Sequence, residues 1–218
     1  DTSAVTLGRR SIELAPPSAV EHFSPREWGD RLALGLCKVL RFLADALFRS
    51  RYLHRAVVLE TVAAVPGMVG ATLQHLRSLR VMRGRADMVK ALMDEAENER
   101  MHLMAFVKIC QPTFTERMLI LLAQGTFFNF FFFLYLISPH IAHRMVGYFE
   151  EEAVISYTRF LDAIDRGHIA NLDIPDFARD YWSLGAHARL RELVVAVRAD
   201  EAGHRDVNHH LAFIEGSR

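Results

Sequence analysis

The sequence is short of several residue types, and each shortage excludes a class of protein. Its 218 residues include 7 prolines and 12 glycines, spread along the chain without a low-complexity tract. No linker between domains is therefore indicated, and the length is sufficient for one domain with a substantial core. Only two cysteines occur, without a Cys-x-x-Cys spacing, so we expect buried thiols in a reducing compartment and no disulfide framework.

Lysine is also scarce, and the net charge is zero. The chain has 3 Lys against 23 Arg, and its 26 basic residues are balanced by 26 acidic ones. A net charge of zero argues against nucleic acid or another polyanion as the partner. The preference for arginine suits bidentate pairing with anionic groups at interfaces.

Patterns of β-strand alternation of useful length are absent too. Residues 1–24 contain Pro16 and Pro17 and show no periodicity, so we interpret them as an extended N-terminal arm in front of a single domain, residues 25–218. Helical periodicity follows in six segments, the first opening on Pro25 after a serine N-cap. The segments are 25–49, 52–82, 86–110, 114–137, 140–166 and 186–213. This pattern predicts an all-α fold, a bundle of long helices.

Two of these helices have unusual surfaces. The first carries Arg31, Lys38 and Arg41 among leucines, and a basic amphipathic helix suits either a membrane surface or an ordinary surface position. The fourth contains "MLILLAQGTFFNFFFFLYLIS", residues 118–138, whose 21 residues carry no charge. About 20 apolar residues can span a bilayer, so this helix either crosses a membrane or lies with one side against lipid or a partner subunit.

A glutamate and a histidine recur three residues apart on two of the helices. Glu99 and His102 lie in "AENERMHLMAF", and Glu201 and His204 lie in "VRADEAGHRD". At about 100° per residue, each pair falls on the apolar stripe of its helix. A buried carboxylate is costly unless it is paired, so each glutamate is expected to face a partner inside the bundle.

Single glutamates occupy the inner faces of two further helices. Glu60 is the only acid in the segment 52–82 and lies on its apolar stripe. Three consecutive glutamates compete in the fifth helix. Periodicity places Glu150 at the centre of the stripe, Glu151 about 100° away and Glu152 nearly opposite, so Glu150 is selected.

Together the four helices would bring four carboxylates and two imidazoles into one core. As bare charges the carboxylates would repel one another and take up protons, whereas two divalent iron ions would balance them. Carboxylate and imidazole ligands suit iron or manganese, and this ligand set is known for ferritin-like di-iron carboxylate bundles. The alternative is a set of buried salt bridges to arginines. The predicted metal ligands are Glu60, Glu99, His102, Glu150, Glu201 and His204.

Asn98 and Asp200 repeat the pattern one step further out. Each lies four residues before the histidine of its own helix, so each could hydrogen-bond that imidazole and fix its orientation. Spacing alone leaves solvent-facing polar residues as the alternative.

Four stretches of the sequence resemble the motifs of the alternative oxidases. They cover every predicted ligand and occur in the family's order: "LETVAAVPGM" (59–68), "NERMHL" (98–103), "FEEEAVISYT" (149–158) and "RADEAGHRDVNH" (198–209). The resemblance runs from about residue 25 to the end of the chain, and details such as "EEEAV" look closest to the trypanosomal members. The family comprises cyanide-insensitive ubiquinol oxidases of the mitochondrial inner membrane, with a plastid branch that oxidises plastoquinol.

The resemblance implies a fold, a reaction and a location. The fold would be a ferritin-like four-helix di-iron bundle with two additional membrane-facing helices, the first and the fourth. The protein would be a monotopic homodimer on the matrix side, oxidising ubiquinol and reducing O₂ to water without pumping protons. A fourth helix that crossed the membrane would put the third and fifth helices on opposite sides, so a shared metal site requires it to lie along the surface.

The resemblance also implies roles for residues around the metals. Tyr157 would be a redox-active tyrosine, the alternative being a core tyrosine with a satisfied hydroxyl. Arg55, Leu59, Ala153 and Ser156 would line the quinol site, with Arg55 and Ser156 hydrogen-bonding the quinol oxygens. The residues expected to surround the ligands are Asn98, Asp200, Tyr181 and Trp182.

Three other functions use some of the same features. A di-iron hydroxylase of a quinone precursor would share the ligand set, but should need a reductase partner. An iron-storage or rubrerythrin-like protein gives no reason for 21 uncharged residues in one helix. A non-enzymatic membrane protein leaves the four inward glutamates unexplained.

Overall fold

Long helices make up most of the chain. This computed structural model describes residues 4–7, 10–13, 22–48, 52–82 and 84–217. The helices are α1 (Trp28–Phe48), α2 (Tyr52–Val81), α3 (Ala86–Cys110), α4 (Phe114–Ile137), α5 (Pro139–Asp165), α6 (Asp176–Tyr181) and α7 (Leu190–Gly216). Two short antiparallel strands precede them, β1 (Ala4–Leu7) and β2 (Arg10–Glu13), with Ala4 opposite Glu13.

The predicted all-α class is confirmed, and the six long helices correspond to the six predicted segments within a few residues. α1 begins at Trp28, three residues later than predicted. The Asp30 carboxylate accepts hydrogen bonds from the backbone N–H groups of Arg26 (2.9 Å) and Glu27 (3.3 Å), which closes a turn in front of the helix. The short helix α6 is absent from the prediction, since six residues are too few to show helical periodicity.

The predicted N-terminal arm lies partly outside the described residues. Its described parts include the β1–β2 ribbon, whose strands of four residues are too short for an alternation pattern to be recognised. At the end of the arm, the backbone N–H of Phe23 donates to Glu151 Oε1 (2.7 Å), and the Tyr148 hydroxyl donates to the Phe23 carbonyl (3.1 Å). This part of the arm is therefore attached to α5, while the division into arm and domain stays a prediction.

Four helices form the central bundle. α2 packs mainly against α3, and α5 mainly against α7. Their apolar stripes meet in a cluster of buried side chains that includes Phe106 of α3, Tyr157 and Phe160 of α5, and Leu193 of α7. These four helices are the ones on which the sequence places the predicted metal ligands.

Gly67 allows α2 and α3 to approach closely. A Cβ atom at this position would lie 2.5 Å from the carbonyl oxygen of Leu92 and 2.9 Å from Cβ of Ala96, both on α3. Contacts this short do not occur, so the packing of the helices that carry Glu60 and Glu99 depends on a residue without a side chain.

α1 and α4 lie outside the bundle. α1 packs on α5, whereas α4 packs on α2 and α5, and both helices contribute to one buried cluster, with Ala33, Phe131 and Met145 among its members. α2 and α4 are both long and apolar enough to cross a membrane by length and composition, but the apolar stretch of α2 is 56% buried against 11% for α4. Exposed apolar side chains of α4 include Leu119, Leu121, Leu122, Phe128, Phe130, Phe133 and Leu136.

Candidate metal centre

Glutamates from four different helices meet inside the bundle. Glu60 comes from α2, Glu99 from α3, Glu150 from α5 and Glu201 from α7, and each is at most 5% exposed. Each lies on the stripe of its helix that faces the core. We call these four residues, together with His102 and His204, the six-residue cluster.

The ligand atoms of the six-residue cluster form two overlapping groups. Within each group, one oxygen or nitrogen atom per residue lies within 4.8 Å of all the others. Glu99 and Glu201 belong to both groups, so the arrangement can hold two metal ions that share these carboxylates. The groups are Glu60, Glu99, His102 and Glu201, and Glu99, Glu150, Glu201 and His204.

The Nδ1 atoms of the two imidazoles face carboxylate oxygens of the cluster without forming hydrogen bonds to them. Nδ1 of His102 lies 3.3 Å from Glu60 Oε2, 3.4 Å from Glu99 Oε2 and 3.4 Å from Glu201 Oε1. Nδ1 of His204 lies 2.7 Å from Glu99 Oε1. Both nitrogens are buried without a hydrogen-bond partner, as are Glu60 Oε2, both Glu99 oxygens and Glu201 Oε2. Buried polar atoms nearly always have partners, and cations bound between these atoms would provide them.

Burial and mutual repulsion raise the pKa values of some of these glutamates, whereas the neighbouring histidines lower that of Glu99. Burial, reinforced by the charges of Glu201 and Glu99, raises the pKa of Glu60 well above its ordinary value, and burial with Glu201 does the same for Glu150. Burial also raises the pKa of Glu99, but His102 and then His204 outweigh it and hold that pKa well below the ordinary range. All four carboxylates can ionise together only if cations compensate them.

Tyr157 touches the six-residue cluster directly. Its hydroxyl donates a hydrogen bond to Glu60 Oε1, and its ring stacks on Phe106 with 5.9 Å between centroids. Burial, followed by the charge of Glu60, raises the pKa of Tyr157 well above its ordinary value, so the phenol keeps its proton. The structure thus places Tyr157 beside the ligands, and its redox role stays a prediction.

Asp200 organises the polar residues around His102. Its Oδ2 lies 3.1 Å from His102 Nε2 and accepts hydrogen bonds from Trp182 Nε1 (2.7 Å) and Asn98 Nδ2 (3.1 Å). Asn98 Nδ2 also donates to the Tyr181 hydroxyl (3.1 Å). The four residues expected around the ligands therefore do lie together.

The predicted pairing of Asn98 and Asp200 with the histidines of their own helices is wrong. Asp200 reaches His102 on the neighbouring helix α3, and Asn98 reaches Asp200 instead of an imidazole. Spacing within one helix could not indicate these bonds, because they depend on how α3 and α7 are placed side by side.

The four residues predicted to line a quinol site flank the six-residue cluster on α2 and α5. Leu59 adjoins Glu60 in sequence, Ala153 and Ser156 follow Glu150 on α5, and all three are half-buried. Arg55 donates from Nη1 to the Asp45 carboxylate of α1, while its Nε is buried without a partner. Sequence reasoning missed Asp45, since an acid on an amphipathic helix gives no signal of its own.

Sequence reasoning also missed Glu95, one turn before Glu99 on α3. It is 4% exposed, and its Oε2 accepts a hydrogen bond from Asn208 Nδ2 (2.9 Å). Burial is the main cause that raises the pKa of Glu95 to about 7. Two spacings could have found the pair, because Glu95 lies four residues before Glu99 and Asn208 four residues after His204.

Fold and site together define a class of protein. Two long helices carry a single inward glutamate, two carry an inward Glu-x-x-His pair, and the ligand atoms converge in one buried space. This is the architecture of the ferritin-like carboxylate bundles that bind a pair of iron or manganese ions. The sequence model of the family described as "Alternative oxidase" matches residues 12–213. The chain belongs to the alternative oxidase family.

Curated relatives agree with this assignment. The chain is 56% identical over 211 residues to "Ubiquinol oxidase, mitochondrial" of Batrachochytrium dendrobatidis (strain JAM81 / FGSC 10211), an alignment that covers 94% of this chain and 67% of the relative. It is 52% identical over 195 residues to "Ubiquinol oxidase, mitochondrial" of Mangifera indica, covering 89% and 61%. It is 54% identical over 194 residues to "Ubiquinol oxidase 1a, mitochondrial" of Arabidopsis thaliana, covering 89% and 55%. The chain thus spans between 55% and 67% of the length of these relatives. The likeness to trypanosomal members stays a prediction.

Proposed function

We propose that the protein is a quinol oxidase that passes the electrons of two ubiquinol molecules to O₂ and forms two molecules of water, without pumping protons. Each quinol gives up two electrons and two protons, which together balance the reduction of O₂. The family assignment and the names of the relatives support ubiquinol as the substrate. The observation that carries the proposal is the buried set of unpartnered oxygen and nitrogen atoms in the six-residue cluster.

The cofactor of this proposal is a pair of non-haem iron ions. Carboxylate and imidazole donors suit iron, and the two overlapping groups of ligand atoms provide for two ions. Four glutamates balance the charge of two divalent ions, which accounts for carboxylates that are otherwise too close to ionise together. When bound, the iron pair supplies the redox chemistry by which O₂ is reduced.

The residues of the chain orient the ligands and handle protons. Asp200 Oδ2 accepts a hydrogen bond from the Nε2–H of His102, so that Nδ1 is the nitrogen that faces the carboxylates of the cluster. The hydroxyl of Tyr157 donates a hydrogen bond to Glu60 Oε1, although the two residues are 97 positions apart in the sequence. A phenol at this place can give up a proton and an electron to a neighbouring reaction, which is the role proposed for it.

The quinol site of this proposal lies between α2 and α5. Leu59 and Ala153 offer apolar contacts, whereas Ser156 and the unpartnered Nε of Arg55 can bind the quinol oxygens. The bond from Arg55 to Asp45 fixes the guanidinium while leaving that donor free. Apolar surroundings also keep water from a reaction that must deliver electrons only to O₂.

We further propose that the protein lies on one leaflet of the mitochondrial inner membrane, on the matrix side. The names of the relatives support a mitochondrial location. Exposed apolar side chains on α1 and α4, such as Phe42 (71% exposed) and Leu122 (68% exposed), support attachment through these two helices. Amphipathic helices of this kind bind in the interface without crossing the bilayer.

A homodimer is proposed as well. Apolar side chains at helical spacing are exposed on α2, at Met68, Leu76 and Leu79, and on α3, at Met93 and Met104. A second copy of the chain could cover this surface. Light scattering on the detergent-solubilised protein tests the proposal, and a mass of one chain per particle would contradict it.

Oxygen uptake with a short-chain ubiquinol, in the presence of cyanide, tests the central proposal. We expect uptake to continue with cyanide, to require bound iron and to consume two quinols per O₂. A hydroxylated quinone precursor as the product, or dependence on a reductase, would favour the di-iron hydroxylase instead. Faster turnover with plastoquinol than with ubiquinol would favour a plastid-type oxidase.

A further inference from the structure

A buried chain of hydrogen bonds leads from Arg85 towards the metal centre. Arg85 Nη1 donates to Gln74 Oε1 (2.5 Å), and Gln74 Nε2 donates to the Tyr135 hydroxyl (2.9 Å). The Tyr135 hydroxyl lies 2.9 Å from Nε2 of His143. Gln74, Tyr135 and His143 are each at most 3% exposed. This part of the series of hydrogen bonds therefore runs through the core and connects α2, α4 and α5.

The second half of this series of hydrogen bonds ends at the carboxylate of Glu95. Nδ1 of His143 lies 3.0 Å from Asn208 Oδ1, and Asn208 Nδ2 donates to Glu95 Oε2 (2.9 Å). Asn208 Nδ2 also lies 3.0 Å from the backbone carbonyl oxygen of His204. One amide group therefore ties Glu95 to the backbone of a proposed ligand.

The arginine at one end and the neutral imidazole of His143 in the middle together set the directions of these bonds. A guanidinium can only donate, so the Gln74 amide accepts from Arg85 and donates to Tyr135. Tyr135 then donates to Nε2 of His143, and the Nδ1–H of His143 donates to Asn208. This order requires a neutral imidazole, in agreement with burial lowering the pKa of His143 to about 4. The series of hydrogen bonds thus presents a donor, the side-chain amide of Asn208, to Glu95.

The other oxygen of Glu95 has no hydrogen-bond partner. Oε1 is buried, and the whole side chain is 4% exposed. After burial, the causes that shift the pKa of Glu95 include the charges of His204, Glu99 and Glu201, and Glu95 in turn raises the pKa of His204 and Glu150. An unpartnered buried carboxylate oxygen therefore lies within electrostatic reach of four residues of the six-residue cluster.

We propose that Glu95 is a fifth carboxylate of the metal centre, a positioning residue that strengthens metal binding from outside the six proposed ligands. Its negative charge would attract the cations, and its bond to Asn208 would hold that charge at a fixed distance from His204. The inference rests on the proposed function for the presence of the metals, but not on the identity of the substrate. Partners of this kind typically change metal affinity by about 10–100-fold.

Two substitutions separate the charge of Glu95 from its hydrogen bond. Glu95→Gln removes the charge but keeps an oxygen that can accept from Asn208, whereas Asn208→Ala removes the bond but keeps the charge. Affinity for Fe(II) or Mn(II) is measured without oxygen or quinol, by competition with a chelator on protein stripped of metal. We expect Glu95→Gln to weaken binding by about 10-fold or more and Asn208→Ala to weaken it less, while the melting temperature falls more in Asn208→Ala.

A third variant and a second readout guard against a merely structural effect. Glu95→Asp keeps the charge, so we expect it to retain more affinity than Glu95→Gln, and the reduction potential of the metal-loaded centre should rise in Glu95→Gln but not in Asn208→Ala. Affinity and potential at the parent values in Glu95→Gln would overturn the inference, as would losses in Glu95→Asp as large as those in Glu95→Gln.

Failure of this inference is distinguishable from failure of the proposed function. If the parent protein binds iron and oxidises quinol while Glu95→Gln binds iron equally well, only the role of Glu95 is wrong. If the parent protein binds neither Fe(II) nor Mn(II), the proposed metal centre is wrong and the role of Glu95 is overturned with it.

Discussion

Tyr157 combines a protonated phenol with a direct bond to a proposed metal ligand. Replacing it by Phe removes only the hydroxyl that donates to Glu60. We expect Tyr157→Phe to bind iron and fold like the parent but to lose most quinol oxidase activity. Oxygen uptake and iron content, measured on the same preparation, test this, and turnover at the parent rate would leave Tyr157 as a packing residue.

The three adjacent glutamates of α5 provide a matched pair of substitutions. Glu150 belongs to the six-residue cluster, whereas Glu151, equally buried, accepts hydrogen bonds from the Phe23 backbone and His209. Glu150→Gln should abolish activity and lower bound iron. Glu151→Gln should reduce stability by about 1–3 kcal/mol but keep the metal. Full activity in Glu150→Gln with metal loss in Glu151→Gln would contradict the ligand assignment.

Asp30 gives stability that depends on pH. Burial raises its pKa, but the backbone N–H of Arg26 and the guanidinium of Arg144, 2.7 Å away, outweigh burial, so the pKa lies below its ordinary value of 3.8. A carboxylate with a lowered pKa stabilises the fold above the unfolded pKa and loses this contribution as the pH falls through the folded pKa. Asp30→Asn should therefore cost about 3 kcal/mol near neutral pH.

The difference between the parent and Asp30→Asn should narrow below about pH 4, where the unfolded carboxylate takes up its proton. Denaturant unfolding at several pH values measures this difference. A gap that stayed constant down to pH 2 would show that Asp30 contributes through shape and not through charge.

At the scale of elements, the contact of α2 with α3 depends on Gly67. Because an added Cβ would overlap the Leu92 carbonyl, we expect Gly67→Ala to push the helices apart and cost about 1–3 kcal/mol. Gly35 on α1 has nothing within 4 Å of such a Cβ, so Gly35→Ala serves as the control and should be neutral or slightly stabilising. Thermal unfolding of the two variants tests this, and equal melting temperatures would contradict it.

The long helices could be predicted because each has an apolar stripe of its own, repeated over several turns. The stripe of α5 predicts the inward side of Glu150, Val154 and Tyr157, all of which are buried. The short α6 shows no such repetition, and the bond from Asp200 to His102 joins two helices whose relative position periodicity does not encode. Helical spacing places Glu95 near Glu99 and Asn208 near His204, but the bond between Glu95 and Asn208 joins α3 and α7, which spacing within one helix does not encode.

At the scale of the whole molecule, the proposed metal site constrains how α4 meets a membrane. α4 lies between α3 and α5 in the chain, and these helices contribute Glu99 and Glu150 to one cluster. A single crossing by α4 would separate the two ligands by a bilayer. We therefore expect both ends of α4 to be accessible from the same side.

Cysteine labelling tests this arrangement on sealed vesicles. Cys37 is first replaced by Ala and Cys110 by Ser, and single cysteines are then introduced by Gln111→Cys before α4 and Asp162→Cys on α5, both at exposed positions. An impermeant reagent should label both sites from the same side. Labelling from opposite sides would refute the monotopic arrangement and, with it, the four-helix metal site.

The proposed ligands are distributed along nearly the whole length of the bundle sequence, from Glu60 on α2 to His204 on α7. α7 follows the other three ligand helices in the chain, so the binding site is incomplete until the ribosome has made α7. We therefore expect the metals to be loaded after α7 has been made, because a nascent chain that ends before α7 carries only three of the four carboxylates. Iron supply to the cell would then decide how much of the newly made protein is stabilised, because binding adds its own free energy to folding.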